Sequence, residues 1–359
     1  MLDEDKDRLL DILLNEDSCA DVVARVVARS RERERCKSIV ANLPAGIPQR
    51  TTEWYNIRRG MITASEFKLA GSGKVCDSYI WGKVFPQPFP SNDAMQWGCR
   101  FEDLAAAVYE HENRTKIKEF GLLVHPREPW LGASPDGITD YGVAIEIKCP
   151  YSRKRVEIDK RVAEDRPFPK SDRANLYARY YPQVQGQLEI CDLEACDFVV
   201  ACIDALDEDT FWQVRRVSEQ THRYAVVADI KRCDSDTLKY ETSPLDLDDA
   251  QMLAWEKGVQ ATGSAVAFHH VHVRELGVTR IMRDRDKWAE IYEGLAQSKR
   301  TIEYIKKNAE QVGDLPPGCA APLFSADAAS TDPPIQRRDA DVLAPAASAP
   351  ASLFQDEDM

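Results

Sequence analysis

The chain has 359 residues, enough for one large domain or two ordinary ones, and its 43% hydrophobic content is that of a folded globular protein. A net charge of −13 argues against a general nucleic-acid binder. No run of 18 apolar residues is present, and the opening MLDEDKDRLLDILL is acidic where a secretory leader would be basic, so an intracellular protein with no membrane partner is expected.

The charge is unevenly spread. From Glu310 to Met359 nine acidic residues face two basic ones, a balance of −7 that leaves only −6 for the rest of the chain. Segment 153–173 carries eight basic residues against five acidic. A local basic groove is therefore compatible with the overall acidity. The ten cysteines are scattered with no CxxC pair, which fits reduced thiols and gives no zinc or iron–sulfur cluster.

In chain order, residues 1–42 read as helix, with Val22, Val23, Val26 and Val27 at helical spacing. Residues 1–45 are expected to form a helical extension. The alternating Arg/Glu run at 31–35 reads as a solvated face, and LPAGIPQR at 43–50 reads as a linker. Helices are expected at 51–60 and 92–113, the second amphipathic around Trp97, Phe101, Leu104 and Val108. Short strands are expected at 120–125, 130–133 and 143–148, a helix at 174–191, and strands at 197–203 and 211–217. Residues 205–265 read as an insertion within a main domain of 51–310. A strand at 266–275 and a closing helix at 285–308 follow, and 312–359 reads as a disordered acidic Ala/Pro-rich tail. The pattern is α/β, a central mixed sheet flanked by helices.

The chemistry concentrates in GASPDGITDYGVAIEIKCP, residues 132–150. Ser134-Pro135-Asp136-Gly137 is turn chemistry. On the strand that follows, Glu146 and Lys148 share one face while Ile145 and Ile147 point to the core. A hairpin brings Asp136 beside Glu146. Two carboxylates and an ammonium suit phosphodiester hydrolysis with Mg²⁺, because hard oxygen ligands leave positions open for water and phosphate. Lys148 is placed to orient or deprotonate the water. Glu102, on the preceding amphipathic helix, is a third carboxylate. Gln183 and Gln187 lie four apart on one helical face, provided Pro182 falls in the first turn or at a kink, and offer buried amides to phosphate or water.

These residues carry a resemblance. The chain resembles the lambda-type phage exonuclease family, also called YqaJ-type viral recombinases or alkaline exonucleases, within the PD-(D/E)xK restriction-endonuclease-like fold. Four blocks align in order: WYNIRRGMITASEF (54–67), WGCRFEDLA (97–105), ASPDG with AIEIKCP (133–150) and YYPQVQGQL (180–188). The resemblance runs from about 52 to 204 and resumes near 266–308. It implies a 5′→3′ exonuclease on linear double-stranded DNA with Mg²⁺, Mn²⁺ substituting, that generates 3′ single strands for recombination or repair. It implies that Asp136, Glu146, the carbonyl of Ile147 and Glu102 hold metal, that Lys148 activates water, and that Gln183 completes the site. It implies further that Arg58, Ser65 and Ser134 hold the 5′-terminal phosphate, with Arg59 competing for the role of Arg58, and that Tyr180 stands nearby. A single-strand annealing partner is implied as well. The extension at 1–45, residues 205–265 and the tail lie outside the resemblance, and leave a trimeric ring and a monomer both open. The alternatives are a structure-specific endonuclease of the same fold and a catalytically dead DNA-binding protein.

Two smaller signals remain. His270 and His272 share a strand face next to His269, which reads as strand surface rather than a metal site. The tail holds two short apolar spots, Leu323-Phe324 and Leu353-Phe354, on an acidic background.

Overall fold

A computed structural model describes residues 19–44, 46–49, 51–72, 77–86, 92–151, 176–231 and 238–308. The basic segment 153–173, residues 1–18 and the tail expected at 312–359 lie outside the described residues.

The chain opens with α1 (Cys19–Asn42), α2 (Thr52–Gly60) and β1 (Ile62–Thr63), then a 3-10 turn at Ala64–Glu66. Short helices α3 (Phe67–Ala70) and α4 (Asp77–Val84) lead to the long α5 (Asp93–Asn113). Five strands follow: β2 (Ile117–Lys118), β3 (Leu123–Val124), β4 (Leu131–Ala133), β5 (Gly137–Thr139) and β6 (Ala144–Lys148). Next come α6 (Leu176–Cys191), β7 (Ala195–Leu206), α7 (Glu208–Arg216), β8 (Tyr224–Lys231) and β9 (Leu238–Thr242). The described chain closes with α8 (Asp249–Ala261), β10 (Ala265–Met282) and α9 (Arg285–Asn308).

Local chemistry explains the boundaries. Thr51 caps α2 by accepting the Trp54 N–H at 3.2 Å, and Asn92 caps α5 by accepting the Met95 N–H at 3.0 Å. Helix α5 buries Phe101, Leu104, Ala105 and Val108, one stripe at helical spacing, and ends on Arg114 in the left-handed conformation.

The central sheet is mixed and seven-stranded, in the order β2-β5-β6-β7-β10-β8-β9. Strand β6 pairs antiparallel with β5 and parallel with β7. A separate three-stranded sheet has the order β1-β4-β3. One core cluster joins Ala144, Phe198 and Val200 of the sheet to Val184 and Leu188 of α6 and Ile291 and Leu295 of α9. Another joins Ile145, Ile147, Val199 and Ala201 to the stripe of α5. The sheet is thus sandwiched between helices, as the α/β pattern requires. No described helix is long and apolar enough to cross a membrane. Six described cysteines are free thiols.

Several local expectations change. A strand is expected at 211–217, but 208–216 form α7, capped by Asp207 on the Thr210 N–H. Phe211, Trp212 and Arg215 fall on one helical face and are buried there, so the same apolar spacing serves a helix. The stretch at 43–50 is no slack linker: Ile47 bridges Leu122, and Gln49 donates to the Pro135 carbonyl at 3.2 Å. The Arg/Glu run is only partly a solvated face. Arg35 pairs with Asp192 at 3.1 Å and Glu194 at 3.3 Å, and Arg33 lies over the Tyr141 ring at 4.1 Å. Within 205–265, β8 and β9 are strands of the central sheet itself.

Candidate active site

The site forms where the chain passes from one sheet to the other. Strand β4 ends at Ala133 in the three-stranded sheet, and β5 begins at Gly137 in the central one. Ser134, Pro135 and Asp136 make the crossing. Gly137 stands opposite Ile145, which sets Asp136 beside Glu146. The Asp136 N–H donates to the Ile145 carbonyl at 3.1 Å, and the Ile147 N–H donates to Asp136 Oδ2 at 2.6 Å.

Alternation on β6 separates core from chemistry. Ile145 and Ile147 enter the α5 cluster. Glu146 and Lys148 turn toward α6, where Lys148 Nζ lies 2.5 Å from Glu146 Oε1 and 4.6 Å from the centre of the Tyr180 ring. Helix α6 supplies two more donors. Gln183 Nε2 donates to Glu146 Oε1 and Gln187 Nε2 to Glu146 Oε2, each at 2.6 Å. The i, i+4 spacing delivers both amides to one carboxylate. Pro182 lies inside α6, in the turn before Gln183, not at its start. Glu146 is 1% exposed at its side chain and Lys148 20%, so the carboxylate is enclosed while the ammonium reaches solvent.

Burial pushes the Asp136 carboxyl well above the usual carboxylate range, and the charges of Glu146 and Glu102 push it further; Lys148 and the Ile147 N–H oppose them. Glu102 on α5 is therefore within electrostatic reach of Asp136. A buried carboxyl whose proton affinity two neighbouring carboxylates raise belongs to a donor set that a divalent cation would relieve, and all of the donor atoms are hard oxygens. Among the described residues, however, no group of three His, Cys, Asp or Glu side chains stands ready to hold a metal. The Glu146 oxygens are instead occupied by Lys148 and the two glutamines. The three histidines form no such group either: His272 stacks on Tyr224 at 4.2 Å, while His269 sits 3.1 Å from Asp229.

A second polar cluster adjoins the first through Ser134. Trp54 Nε1 donates to Ser134 Oγ at 3.0 Å, the Arg58 guanidinium lies over the Trp54 ring at 4.1 Å, and Arg58 Nη2 donates to Ser65 Oγ at 3.0 Å. The structure thus brings Arg58, Ser65 and Ser134 together across 76 residues of sequence, and it is Arg58 that reaches Ser65.

Sequence reasoning missed what holds this cluster. Lys83 of α4 pairs with Glu66 at 3.0 Å, both side chains buried, and donates to the carbonyls of Met61 and, at 3.3 Å, Arg58. Glu66 also accepts from the Thr63 N–H at 3.0 Å and Tyr79 Oη at 3.1 Å. Burial pushes the Lys83 ammonium down and the Glu66 charge opposes that. The Thr63-x-x-Glu66 spacing of a capping box was a readable signal for Glu66; nothing in the sequence pointed to Lys83. Helix α6 sits close behind: a Cβ on Gly186 would lie 2.1 Å from the Phe67 ring, so only glycine admits this approach.

Parts of the chain are similar to known proteins. Residues 53–194 match the model of the YqaJ-like viral recombinase domain, a span that contains all four sequence blocks. An uncharacterized protein of Acanthamoeba polyphaga mimivirus is 32% identical over 131 residues, 33% of this chain and 22% of that protein, so the matched region spans about a fifth of the relative's length. Among solved structures, an alkaline exonuclease (LHK-Exo) from Laribacter hongkongensis is 24% identical with a TM-score of 0.42, covering 73% of this chain and 100% of that one. A phage-related exonuclease from Haemophilus somnus is 12% identical with a TM-score of 0.40, covering 69% and 96%.

Proposed function

We propose that this chain, which carries a YqaJ-like viral recombinase domain, is a divalent-metal-dependent exonuclease of the PD-(D/E)xK type that degrades linear double-stranded DNA in the 5′→3′ direction. The crossing segment Ser134-Pro135-Asp136 carries this reading. It joins a polar cluster suited to a terminal phosphate to a pair of carboxylates suited to phosphodiester hydrolysis, within two residues, at most about 7 Å of backbone. An enzyme that reads an end and cuts beside it needs these two functions at that separation.

Asp136 and Glu146, with Glu102 and the Ile147 carbonyl, are the residues that would hold Mg²⁺ or Mn²⁺. The bound cation supplies charge stabilisation at the phosphoryl oxygens and lowers the pKa of water. Lys148 Nζ, the exposed member of the Glu146 pair, is the group that orients the attacking water and, in its neutral amine form, takes a proton from it. Gln183 supplies an amide N–H to the phosphate or the water once it leaves Glu146. The Tyr180 ring backs the Lys148 ammonium by a cation–π contact. Arg58 and Ser65, with Ser134, grip the 5′-terminal phosphate through charge-assisted hydrogen bonds. The products, 3′ single strands, are the substrate class of strand-annealing reactions in recombination or repair.

Digestion of a 5′-phosphorylated linear duplex beside a closed circle, with Mg²⁺ or with EDTA, tests the reading on wild type and Lys148→Ala. Loss of the linear DNA alone, only with Mg²⁺ and only in wild type, is expected. Cutting of the circle would make the enzyme an endonuclease. DNA binding with no cleavage of either would make it a binding protein.

A further inference from the structure

Glu146 receives three donors, and they are not distributed evenly. Lys148 Nζ and Gln183 Nε2 converge on Oε1, at 2.5 and 2.6 Å, while Gln187 Nε2 bonds Oε2 at 2.6 Å. The three donors also differ in access. Lys148 reaches solvent and Gln183 is 8% exposed, whereas Gln187 is 0% exposed and lies one turn deeper on α6. Gln187 has another distinction. Its carbonyl oxygen, Oε1, is buried and has no hydrogen-bond partner among the described residues. A buried amide ordinarily satisfies both ends. Here one end is left unpaired while the other is committed to Glu146, so the orientation of this side chain is set by the carboxylate and not by the needs of the core.

We infer that Gln187 is a positioning residue that fixes the Glu146 carboxylate from behind, so that Lys148 and Gln183 can leave Oε1 for water and phosphate without Glu146 losing its orientation. The inference rests on the proposed nuclease reading, since it concerns the carboxylate that would hold the cation. It assigns different tasks to two glutamines that look equivalent in sequence. Gln183, at the rim, is exchangeable between Glu146 and substrate. Gln187, enclosed, keeps one partner throughout. Residues that orient metal ligands by hydrogen bonding tune affinity by roughly 10- to 100-fold. Gln187 should therefore act on cation affinity, and Gln183 on turnover.

Mn²⁺ binding to the full-length protein, followed by the paramagnetic resonance of free Mn²⁺, separates these roles in the absence of DNA. Wild type is expected to take up Mn²⁺ and Glu146→Ala to lose that uptake. Gln187→Met, of similar length but without a donor, is expected to weaken uptake about tenfold or more. Gln183→Met is expected to stay within about twofold of wild type in Mn²⁺ affinity while losing kcat on DNA. If Gln187→Met does not fold, Gln187→Asn withdraws the amide by one methylene and carries the same expectation. Wild-type uptake with unchanged affinity in the Gln187 variant overturns the inference alone. A wild type that takes up no Mn²⁺ overturns the metal-dependent reading and the inference with it.

Discussion

The backbone N–H of Ile147 donates to Oδ2 of Asp136 at 2.6 Å, tying the crossing segment to the strand that carries Glu146 and Lys148. One residue pair thereby sets the distance between the two carboxylates of the site. It also holds Asp136 where burial and like charge raise its pKa.

That placement is costly to the cation-free protein. A carboxyl whose folded pKa is raised contributes stability fully below its unfolded pKa and loses it as pH rises through the folded value. Cation-free wild type should accordingly lose stability as pH rises from acid toward neutrality through this group. Asp136→Asn, neutral at every pH, should melt higher than wild type at neutral pH and flatten that pH dependence, while DNA cleavage is abolished. Calorimetry across pH in EDTA checks it; an Asn variant that melts lower at neutral pH would contradict the assigned cause.

Arg58 is the charged member of the second cluster. Hydrogen bonds to a charged group are worth about 1.5–3 kcal/mol, so Arg58→Ala should reduce the rate advantage of a 5′-phosphorylated end over a 5′-hydroxyl end by roughly 10- to 100-fold. Arg58→Lys should recover only part, since it restores charge without the planar fork. Competition between the two DNA ends in one reaction reads the ratio directly.

The Lys83–Glu66 pair holds the backbone under Arg58. Removing one partner of a buried ion pair costs about 3–5 kcal/mol, because the other charge stays buried and unpaired. Lys83→Met should therefore be strongly destabilising, and Lys83→Met with Glu66→Leu should recover much of the loss. Urea unfolding of the three proteins measures this. A single variant no less stable than the double would show that the charge is not buried unpaired.

Gly186 decides how closely α6 approaches the Ser65 segment. Gly186→Ala meets the Phe67 ring and should cost about 1–3 kcal/mol, the usual range for overpacking. It should also lower activity more than a surface glycine substitution of similar helix propensity such as Gly258→Ala, whose Cβ meets nothing within 4 Å. Equal behaviour of the two variants would mean that α6 shifts without consequence for the glutamines it carries.

Parts of this protein were fixed by local geometry and could be read from the sequence. The two-residue period of a strand puts Glu146 and Lys148 on one face and Ile145 and Ile147 on the other, whatever surrounds them. The same holds for Gln183 and Gln187 at i, i+4, and for the apolar stripe of α5. Other features depend on which elements meet, and no local period encodes that. The strand expected at 211–217 is a helix, started by the Asp207 cap and packed through Phe211 and Trp212. The sequence showed two glutamines on one face; only the packing of α6 on the sheet aimed both at Glu146. Local periods leave Arg58, Ser65 and Ser134 separate, and only the resemblance grouped them; the crossing between two sheets brings Ser134 to the other two, and a buried Lys83, bonded to the Met61 and Arg58 carbonyls, holds the backbone under Arg58.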